Sequence, residues 1–592
     1  MKNLGRLNIL GIILTTLTGL IFMRMIYVQF SNGGQELLKE AEANYRYEHE
    51  EIVPTRGSIY DRWGNLLAGN KVVYEVGINL NNSERNPRII AKYLSGLLNM
   101  DYNDVYDQAS TPLKSSKQYI LLADFVDNDT INKIQEIKEK LAENPDPSLT
   151  GEADGTLEGI EWQPHLKREY PENALASNVL GFYGFLDRKD GSAHYGVEEE
   201  YNKLLAGNAM QVDIPIEPRE ATEIPTVPPG DSLVLTIDRR IQQSVEEILD
   251  RAVEKNQAIS GTIIVMDPKT GEILAMATSP RINPNEYWES NMVVETKSYN
   301  RAIDITYEPG SVFKVLTMAA AMDAGVVTPD TVFDDTGSIE LSGYTIYNWD
   351  RSAWGQQTML GCMQHSLNVC LTWVALQLGS TNFYNYMNAF GIGQYTNIDL
   401  AGEKVFPLSY PGDTGWADIS LGTNSFGQGL AVTPLQMVQA IGAIANDGKM
   451  MAPHIIKSII KNGEKTDFPA RQIGQPITTK TAHDLSDMLA ISLEEEASSA
   501  LVEGYRVSGK TGTAEIPSPE GYISNVTNAS FVGWGPTDDP EFIVYVWLEK
   551  PKSSIWGSVV ASPVFSKVVE KLVVLMDIPP DTTRRQLLMT KN

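Results

Sequence analysis

Three short motifs carry the residue types of a serine nucleophile, a proton-accepting lysine and a carboxylate-binding lysine. They are Ser311-Val312-Phe313-Lys314, Ser366-Leu367-Asn368 and Lys510-Thr511-Gly512, in this order along the chain. An S-x-x-K, an S-x-N and a K-T-G motif together are typical of serine acyl transfer. The ordered set therefore predicts a serine acyl-transfer enzyme.

The three motifs also occur elsewhere in the chain, so order and context must decide between the copies. Further copies include Ser458–Lys461, Ser298–Asn300 and Lys269–Gly271. Ser298 precedes Ser311, and no S-x-N separates Ser458 from Lys510. The segment Lys269–Gly271 lies between two apolar runs, which predicts a hairpin turn in which glycine supplies the positive φ.

The first motif is predicted to begin a helix. Pro309-Gly310 ends an irregular stretch, and the apolar sequence from Ser311 to Asp323 closes near Gly325. Lys314 then lies on the same face as Ser311. Desolvation lowers the pKa of a lysine in such a place, so it can accept the hydroxyl proton, a step worth about 10²–10⁴ in rate. A surface serine and lysine are the alternative, but the apolar neighbours argue against it.

The second motif follows an apolar stretch. The Ser366 hydroxyl and the Asn368 amide are suited to relay a proton and to hold a substrate carbonyl. The alternative is a polar break between two helices in which the backbone satisfies Asn368. Both interpretations stay open at this point.

The third motif is predicted to lie on a strand edge. It follows the alternating segment Tyr505–Ser508, and Gly512 lets a ligand backbone approach closely. Lys510 and the two threonine hydroxyls are suited to bind a terminal carboxylate. A plain turn is the alternative, but Phe542–Leu548 offers a neighbouring strand and argues against it.

Beyond these motifs, the chain resembles a class B penicillin-binding protein, a monofunctional peptidoglycan transpeptidase. The segment Tyr307–Lys314 is similar to the active-serine segment of that family. Further matching segments are Asn300–Ala302, Gly427–Gly429, Thr433–Gln436, Ser530–Gly533 and, for the non-catalytic domain, Pro54–Arg62 with Arg168, Tyr170 and Gly181. Glu199 departs from the pattern, because family members often have glycine there.

The resemblance implies a role for each motif residue. Ser311 is the expected nucleophile and Lys314 its general base, while Ser366 and Asn368 line the cleft. The expected substrate-binding residues are Lys510, Thr511, Gly512 and Thr513, and the backbone N–H groups of Ser311 and Thr513 are the expected oxyanion hole. The implied reaction joins two stem peptides through a Ser311 acyl-enzyme, which β-lactams trap. It needs no metal or organic cofactor and is compatible with a carboxypeptidase side activity.

The N-terminus predicts a membrane anchor. Lys2 and Arg6 precede the apolar run Leu7–Met23, and after Arg24 the apolar sequence continues over Met25–Val28. We expect a span over residues 7–28 with residues 1–6 in the cytoplasm, since basic residues stay on that side. The catalytic part is then outside the membrane. A cleaved signal peptide is the alternative, although no small-x-small cleavage site follows the run.

The expected fold is α+β: an antiparallel sheet flanked by helices, with a helical lobe, on an elongated N-terminal pedestal. The predicted domains are the pedestal at 29–227, the transpeptidase domain at 228–578 and a loose tail at 579–592. Residues 31–51 are expected to be helical. The predicted catalytic elements are strands at 232–238, 261–266, 273–277, 505–513, 529–534 and 541–548 and helices at 239–253, 311–323 and 563–576.

Composition sets further limits. The 592 residues carry a net charge of −27, which argues against nucleic-acid binding. The acidic run Glu494–Glu496 is expected to be part of the solvated surface. Cys362 and Cys370 are eight residues apart, or about 12 Å on one helix, too far for a disulfide, so buried free thiols are expected.

Three other functions compete with the transpeptidase. A serine β-lactamase shares the motifs but needs no anchor or pedestal. A β-lactam sensor needs several spans and an effector, and here six residues precede the single span. A scaffold of the division complex is the third alternative. The resemblance implies, as partners, stem peptides and products of lipid-linked precursors, β-lactams, the membrane, a SEDS-type glycan polymerase and other division or elongation proteins, with a septal role favoured over a side-wall role.

Overall fold

The computed structural model describes residues 2–31, 33–36, 39, 47–114, 117–146, 155–184, 191–215, 226–289, 298–496, 498–519 and 521–591. The chain forms two compact units. The first unit contains Met1–Arg56 and Ala206–Gly230, and the second contains Gly57–Leu205 and Asp231–Asn592.

In the first unit, a long apolar helix covers Lys2–Phe30. Its segment Asn8–Phe30 has 23 residues, a mean hydropathy of 2.0 and no buried surface. At 1.5 Å per residue it is about 34 Å long, enough to cross the hydrocarbon core of a bilayer. It is the one helix in the described part of the chain with this length and composition, in line with the predicted single span.

The rest of the first unit corrects one prediction. Residues 31–51 were expected to be helical. Residues 33–36 and 39 are helical, but the strand Tyr47–Ile52 pairs antiparallel with Met210–Pro215. The partner strand lies far away in the sequence, and its backbone hydrogen bonds override the local helical preference. Residues 41–46 lie outside the described residues.

A five-stranded antiparallel sheet is the centre of the second unit. Its strands, in spatial order, are Ile273–Ser279, Ser260–Met266, Phe542–Glu549, Gly521–Gly535 and Ser508–Ser518. Both faces of the sheet are buried, so the side chains that point to either face are apolar. In Phe542–Glu549, for example, Tyr545 and Trp547 pack into one core while Val544 and Val546 pack into the other.

Helices cover both faces of this central sheet. On one face lie Arg239–Asn256 and Ser562–Leu575. On the other face is the helical lobe, formed by Lys314–Asp323, Met359–Gln364, Asn368–Leu378, Ser380–Ala389, Asp418–Ser425, Pro434–Gly442 and Thr479–Glu495. The expected α+β class with a helical lobe is confirmed.

A second sheet belongs to the pedestal sequence and to the catalytic sequence together. Its strands are Glu464–Asp467, Ile456–Lys461, Ser232–Leu235, Ile59–Tyr60, Leu66–Asn79 and Tyr119–Val126, with Ile160–Glu169 also paired to Leu66–Asn79. Its pedestal end packs against the helices Pro87–Leu97, Tyr102–Ala109 and Asn128–Glu143. Residues 57–205 belong to the same compact unit as the catalytic sequence, so the division into units does not test the predicted domain boundary near residue 227. This boundary stays a prediction.

Shorter elements complete the described chain. Two-residue to four-residue strands pair as Phe182–Gly184 with Ser192–His194, Val332–Asp335 with Gly355–Thr358, Ser338–Leu341 with Tyr344–Tyr347, and Met450–Met451 with Gln472–Gly474. Short helices are Ser177–Leu180, Gly196–Glu200, Asn202–Ala206, Pro284–Glu289, Arg301–Asp304, Gly310–Phe313, Ile444–Asn446 and Gly557–Val560.

A buried ion pair supports the start of the pedestal sequence. Arg168 Nε donates to Glu198 Oε1 at 2.7 Å, and both side chains are at most 1% exposed. A second guanidinium nitrogen donates to the Gly57 carbonyl at 2.8 Å. Breaking such a pair leaves a buried charge uncompensated. Glu199, the departure from the family pattern, is exposed and accepts from the Tyr195 N–H.

The C-terminal segment corrects a second prediction. The tail from Pro579 was expected to be loose, but Asp581–Lys591 forms a helix. Arg584 pairs with Asp538 and Asp581, and the Arg506 N–H donates to Asp581 Oδ2 at 2.7 Å. These ion pairs and the hydrogen bond to Asp581 connect the segment to Arg506 and Asp538 of the catalytic sequence.

The two cysteines correct a third prediction. Cys362 and Cys370 form a disulfide, with Cα atoms 6.1 Å apart. They were expected to lie on one helix, but the chain breaks between Met359–Gln364 and Asn368–Leu378. Ser366, in the break, has a φ of 54°, and this turn brings the two helices back together.

Removal of this disulfide is expected to lower thermal stability. Without the bond, a loop of about eight residues is no longer restrained in the unfolded state, which lowers the free energy of unfolding by roughly 2–3 kcal/mol. We expect the double variant Cys362→Ala/Cys370→Ala to unfold a few degrees below the wild type by calorimetry. A reductant should shift the wild type in the same direction and leave the variant unchanged. Two free thiols in the unreduced, denatured wild type would contradict the pairing.

Candidate active site

The Ser311 segment begins with a tight turn. Gly310–Phe313 is a 3₁₀ turn that leads directly into the helix Lys314–Asp323. Gly310 has a φ of +59°, and its N–H donates to the Gly427 carbonyl at 2.9 Å. Residues three apart eclipse in a 3₁₀ turn, so Ser311, which is half-buried, and Lys314 lie on the same side of the turn. The predicted helix is confirmed, with a tighter first turn.

Lys314 is fully buried and surrounded by oxygen atoms. Its Nζ donates to Ser366 O at 2.6 Å, to Ser366 Oγ at 3.2 Å and to Asn368 Oδ1 at 2.7 Å. Burial lowers the pKa of Lys314 well below its ordinary value, and the neighbouring charge of Lys510 lowers it further. Three acceptors match the three donors of an ammonium, while burial favours the amine. The site can therefore hold Lys314 in either protonation state.

The S-x-N motif forms the turn between the two disulfide-linked helices. Ser366 adopts the left-handed conformation, and the Leu367 N–H donates to Cys362 O at 3.0 Å. The Asn368 amide nitrogen donates to Tyr347 O at 3.1 Å. The motif is a polar break with a backbone partner, and its oxygen atoms also accept from Lys314. Its expected roles in proton relay and substrate binding stay predictions.

The K-T-G motif lies on Ser508–Ser518, the edge strand of the central sheet next to the Ser311 turn. A Cβ on Gly512 would lie 2.2 Å from Ser530 Oγ and 2.8 Å from Val312 Cγ1. Such contacts are too short for any side chain, so only glycine permits this approach. The predicted strand is confirmed, and the turn alternative is wrong.

Lys510, Thr511 and Thr513 lie on the same edge strand as Gly512. Lys510 is 5% exposed, its Nζ donates to Thr511 Oγ1 at 3.3 Å, and burial lowers the pKa of Lys510 to about 8. Thr513 Oγ1 accepts from the Gly557 N–H at 3.1 Å. A Cβ on Gly310 would lie 2.8 Å from Thr513 O, so the Ser311 turn and Thr513 are direct neighbours. The eight residues predicted for the site are thus brought together.

The further copies named above lie elsewhere in the fold. Ser458 is buried in the strand Ile456–Lys461 of the second sheet. Lys269–Gly271 forms the predicted turn between two strands of the central sheet, where Gly271 has a φ of +82°. Asn300 caps the short helix Arg301–Asp304.

Two exposed tryptophans beside the site escaped the sequence analysis. Trp349 and Trp556 meet edge to face with ring centroids 5.2 Å apart. The Trp349 indole N–H donates to the carbonyl of His365, the residue before Ser366, at 3.0 Å. Trp556 precedes Gly557, the partner of Thr513. Both rings lie in connecting segments, where no spacing rule distinguishes a site residue from an ordinary surface residue.

An acidic residue also borders the Ser311 segment. Glu308 Oε1 accepts from the Gly429 N–H at 3.0 Å, and Glu308 Oε2 accepts from the Tyr522 hydroxyl at 3.0 Å. Burial raises the pKa of Glu308. These contacts connect the Ser311 segment to the Gly427–Gly429 loop and to the hairpin that follows the K-T-G motif.

Comparisons with known proteins agree with this arrangement. Residues 261–570 match the family model described as penicillin binding protein transpeptidase domain, and residues 51–214 match the penicillin-binding protein dimerisation domain. Stage V sporulation protein D of Bacillus subtilis is 32% identical over 582 residues, covering 95% of this chain and 84% of that protein. Peptidoglycan D,D-transpeptidase FtsI of Escherichia coli is 28% identical over 550 residues, covering 90% and 85%.

The fold has a solved counterpart. The crystal structure of penicillin binding protein 2X from Streptococcus thermophilus has a TM-score of 0.72 at 23% identity, covering 90% of this chain and 80% of that one. At this identity the likeness concerns the fold alone. The two domain matches and the 32% identity with the Bacillus subtilis relative show that the chain belongs to the class B penicillin-binding proteins.

Proposed function

We propose that this chain is a membrane-anchored peptidoglycan D,D-transpeptidase that cross-links stem peptides through a Ser311 acyl-enzyme. The observation that carries the proposal is the contact of three motifs. Buried Lys314 is bonded to Ser366 and Asn368, and the Lys510 strand packs directly against the Ser311 turn. The Escherichia coli relative, peptidoglycan D,D-transpeptidase FtsI, supports the same reaction.

Acylation follows from the position of Lys314. Its neutral amine takes the Ser311 proton as the oxygen attacks the carbonyl of the penultimate D-alanine. The negative charge that develops on the carbonyl oxygen is stabilised by the backbone N–H groups of Ser311 and Thr513. The intermediate then collapses with cleavage of the amide bond. The terminal D-alanine leaves with the proton, which the Ser366 hydroxyl relays from Lys314.

The second half-reaction transfers the acyl group from Ser311 to an amine. The amine of a neighbouring stem peptide attacks the Ser311 ester, and Lys314 takes its proton. The acyl group passes to the amine, and the Ser311 hydroxyl is restored. A β-lactam acylates Ser311 in the same way, but its leaving group stays attached, so the ester is trapped. Water in place of the amine gives the carboxypeptidase side reaction.

Donor recognition is assigned to the edge strand. An extended peptide can bind along an unpaired strand edge, such as that of Ser508–Ser518. Lys510, Thr511 and Thr513 supply a cation and two hydroxyls for the terminal carboxylate. Because burial lowers the pKa of Lys510 to about 8, its charge is retained at neutral pH and lost in mildly alkaline solution.

The placement in the cell is part of the proposal. Lys2 and Arg6 flank the apolar helix, which favours a cytoplasmic N-terminus and a catalytic unit outside the membrane. The Cys362–Cys370 disulfide supports this orientation, because such bonds persist in oxidising compartments. A SEDS-type glycan polymerase and other division proteins are the proposed partners, and a septal role remains our preferred assignment.

Labelling with a fluorescent penicillin tests the nucleophile. We expect one adduct per chain, at Ser311 by mass spectrometry, and none in the Ser311→Ala variant. Ser458→Ala is the matched control, since Ser458 heads the second S-x-x-K motif yet is buried in a strand, and this variant should label normally. An adduct at another residue would contradict the proposal. Rapid release of hydrolysed penicillin would favour a β-lactamase instead.

The pH dependence of acylation tests the two lysines. The second-order rate constant should rise as Lys314 loses its proton, well below pH 10.5, and fall above about pH 8 as Lys510 loses its charge. Lys314→Arg removes the base, because arginine stays protonated, and should slow acylation by about 10²–10⁴. Lys461→Arg, in the second S-x-x-K motif, is the control. A rate that keeps rising to pH 10.5 would contradict this assignment.

A further inference from the structure

The Cys362–Cys370 disulfide closes a short loop that contains the whole S-x-N motif. Cys362 lies in the helix Met359–Gln364 before the motif, and Cys370 lies in the first turn of the helix Asn368–Leu378. The two cysteines are eight residues apart in the sequence, and all three motif residues lie between them. The bond therefore joins the two helices on either side of the turn that carries the motif.

The backbone of this turn adopts a conformation that serine disfavours. Ser366 has a φ of 54°, in the left-handed region. Its N–H donates to Met363 O at 3.3 Å, and the Leu367 N–H donates to Cys362 O at 3.0 Å. A disfavoured backbone conformation persists only where the surrounding structure fixes it. A covalent bond across the turn, from the same residue that accepts the Leu367 N–H, supplies such a constraint.

The turn in turn supplies the oxygen atoms that surround Lys314. Lys314 Nζ donates to Ser366 O at 2.6 Å, to Ser366 Oγ at 3.2 Å and to Asn368 Oδ1 at 2.7 Å. Because Lys314 is fully buried, solvent does not replace an acceptor that moves away. The shape of the turn therefore decides whether Lys314 keeps its position relative to Ser311.

The disulfide lies in the core beneath the site. Both cysteines are fully buried and belong to the same apolar core as Val312 and Phe313, which separate the nucleophile from the base in the sequence. Exposed disulfides are the labile ones, whereas buried ones serve as permanent links. The burial of this bond thus favours a constant restraint on the turn over a switch.

We infer that Cys362 and Cys370 are positioning residues of this site, whose bond holds Ser366 and Asn368 where they bind Lys314. The inference rests on the proposed function, because its consequence is the rate at which Ser311 is acylated. Neither cysteine contacts the substrate, and the bond acts through the turn. A displacement of about 1 Å at a reacting group can slow a reaction by about 10²-fold, so a looser turn should be visible in the rate.

The test compares four full-length proteins: the wild type, Cys362→Ala, Cys370→Ala and the double variant. The measured quantity is the first-order rate constant of Ser311 acylation at saturating fluorescent penicillin, which reports the step after binding. Each single substitution already removes the bond. We therefore expect the same loss, roughly ten- to hundred-fold, in both single variants and in the double variant.

A control variant separates the local effect from a general loss of stability. Leu572 lies in the helix Ser562–Leu575, is 1% exposed and packs on the other face of the central sheet. Its truncation in Leu572→Ala lowers stability by an amount of the same order as the loss of a disulfide. Measured well below all thermal midpoints, Leu572→Ala should be acylated at the wild-type rate.

Hydrogen exchange of backbone amides, followed by mass spectrometry, examines the turn itself. The amides of Ser366 and Leu367 should exchange faster in the cysteine variants than in the wild type and in Leu572→Ala. The reason is that the Leu367 bond to Cys362 opens more often once the covalent link is absent. This comparison does not depend on whether Ser311 reacts.

Four results would overturn the inference. The first is an unchanged acylation rate in the double variant. The second is a loss in the double variant equal to the product of the two single losses, which indicates independent packing effects and not a shared bond. The others are an equal loss in Leu572→Ala and equal amide exchange in all proteins. By contrast, a missing Ser311 adduct in the wild type would refute the transpeptidase.

Discussion

The burial of one lysine is the constraint on which this site depends. An ammonium withdrawn from water is costly unless oxygen atoms replace its hydration. Lys314 finds them on Ser366 and Asn368, and only because Ser366 turns into the left-handed region. The same burial lowers the pKa of Lys314, so the arrangement that holds the side chain also prepares it to accept a proton.

The second constraint is the close approach of the edge strand. Gly512 and Gly310 have no side chains, so the Lys510 strand and the Ser311 turn can contact each other. This contact brings the charge of Lys510 close to Lys314 and lowers its pKa further. Packing and electrostatics therefore act together: the nucleophile, the base and the carboxylate-binding lysine belong to three segments that only the folded sheet and lobe assemble.

Much of this arrangement is predictable from the sequence. The helix after Ser311, the edge strand at Lys510 and the hairpin at Lys269–Gly271 follow from apolar periodicity and glycine positions. Order excludes Ser298–Asn300, but Ser380–Asn382 also lies between Ser311 and Lys510, and only the folded chain, in which Ser366 and Asn368 contact Lys314, distinguishes it. The central antiparallel sheet and the helical lobe agree with the family that these motifs indicate.

The errors and omissions come from a local turn that no sequence pattern signals and from contacts between distant segments. The Cys362–Cys370 bond depends on a left-handed backbone conformation at Ser366. Serine rarely adopts this conformation. The strand Tyr47–Ile52 depends on a partner more than 150 residues away. The exposed Trp349 and Trp556 carry no spacing signal, because they lie in connecting segments that only the folded chain brings beside the site.

The most direct test of the account is the titration of Lys314 itself. With lysine ¹³C-labelled at the ε carbon, its signal can be assigned with Lys314→Arg and followed against pH. The account predicts a midpoint well below 10.5 in the wild type, and a higher midpoint when Lys510 is replaced by methionine, because the neighbouring charge is then absent. A midpoint near 10.5 in the wild type would contradict it.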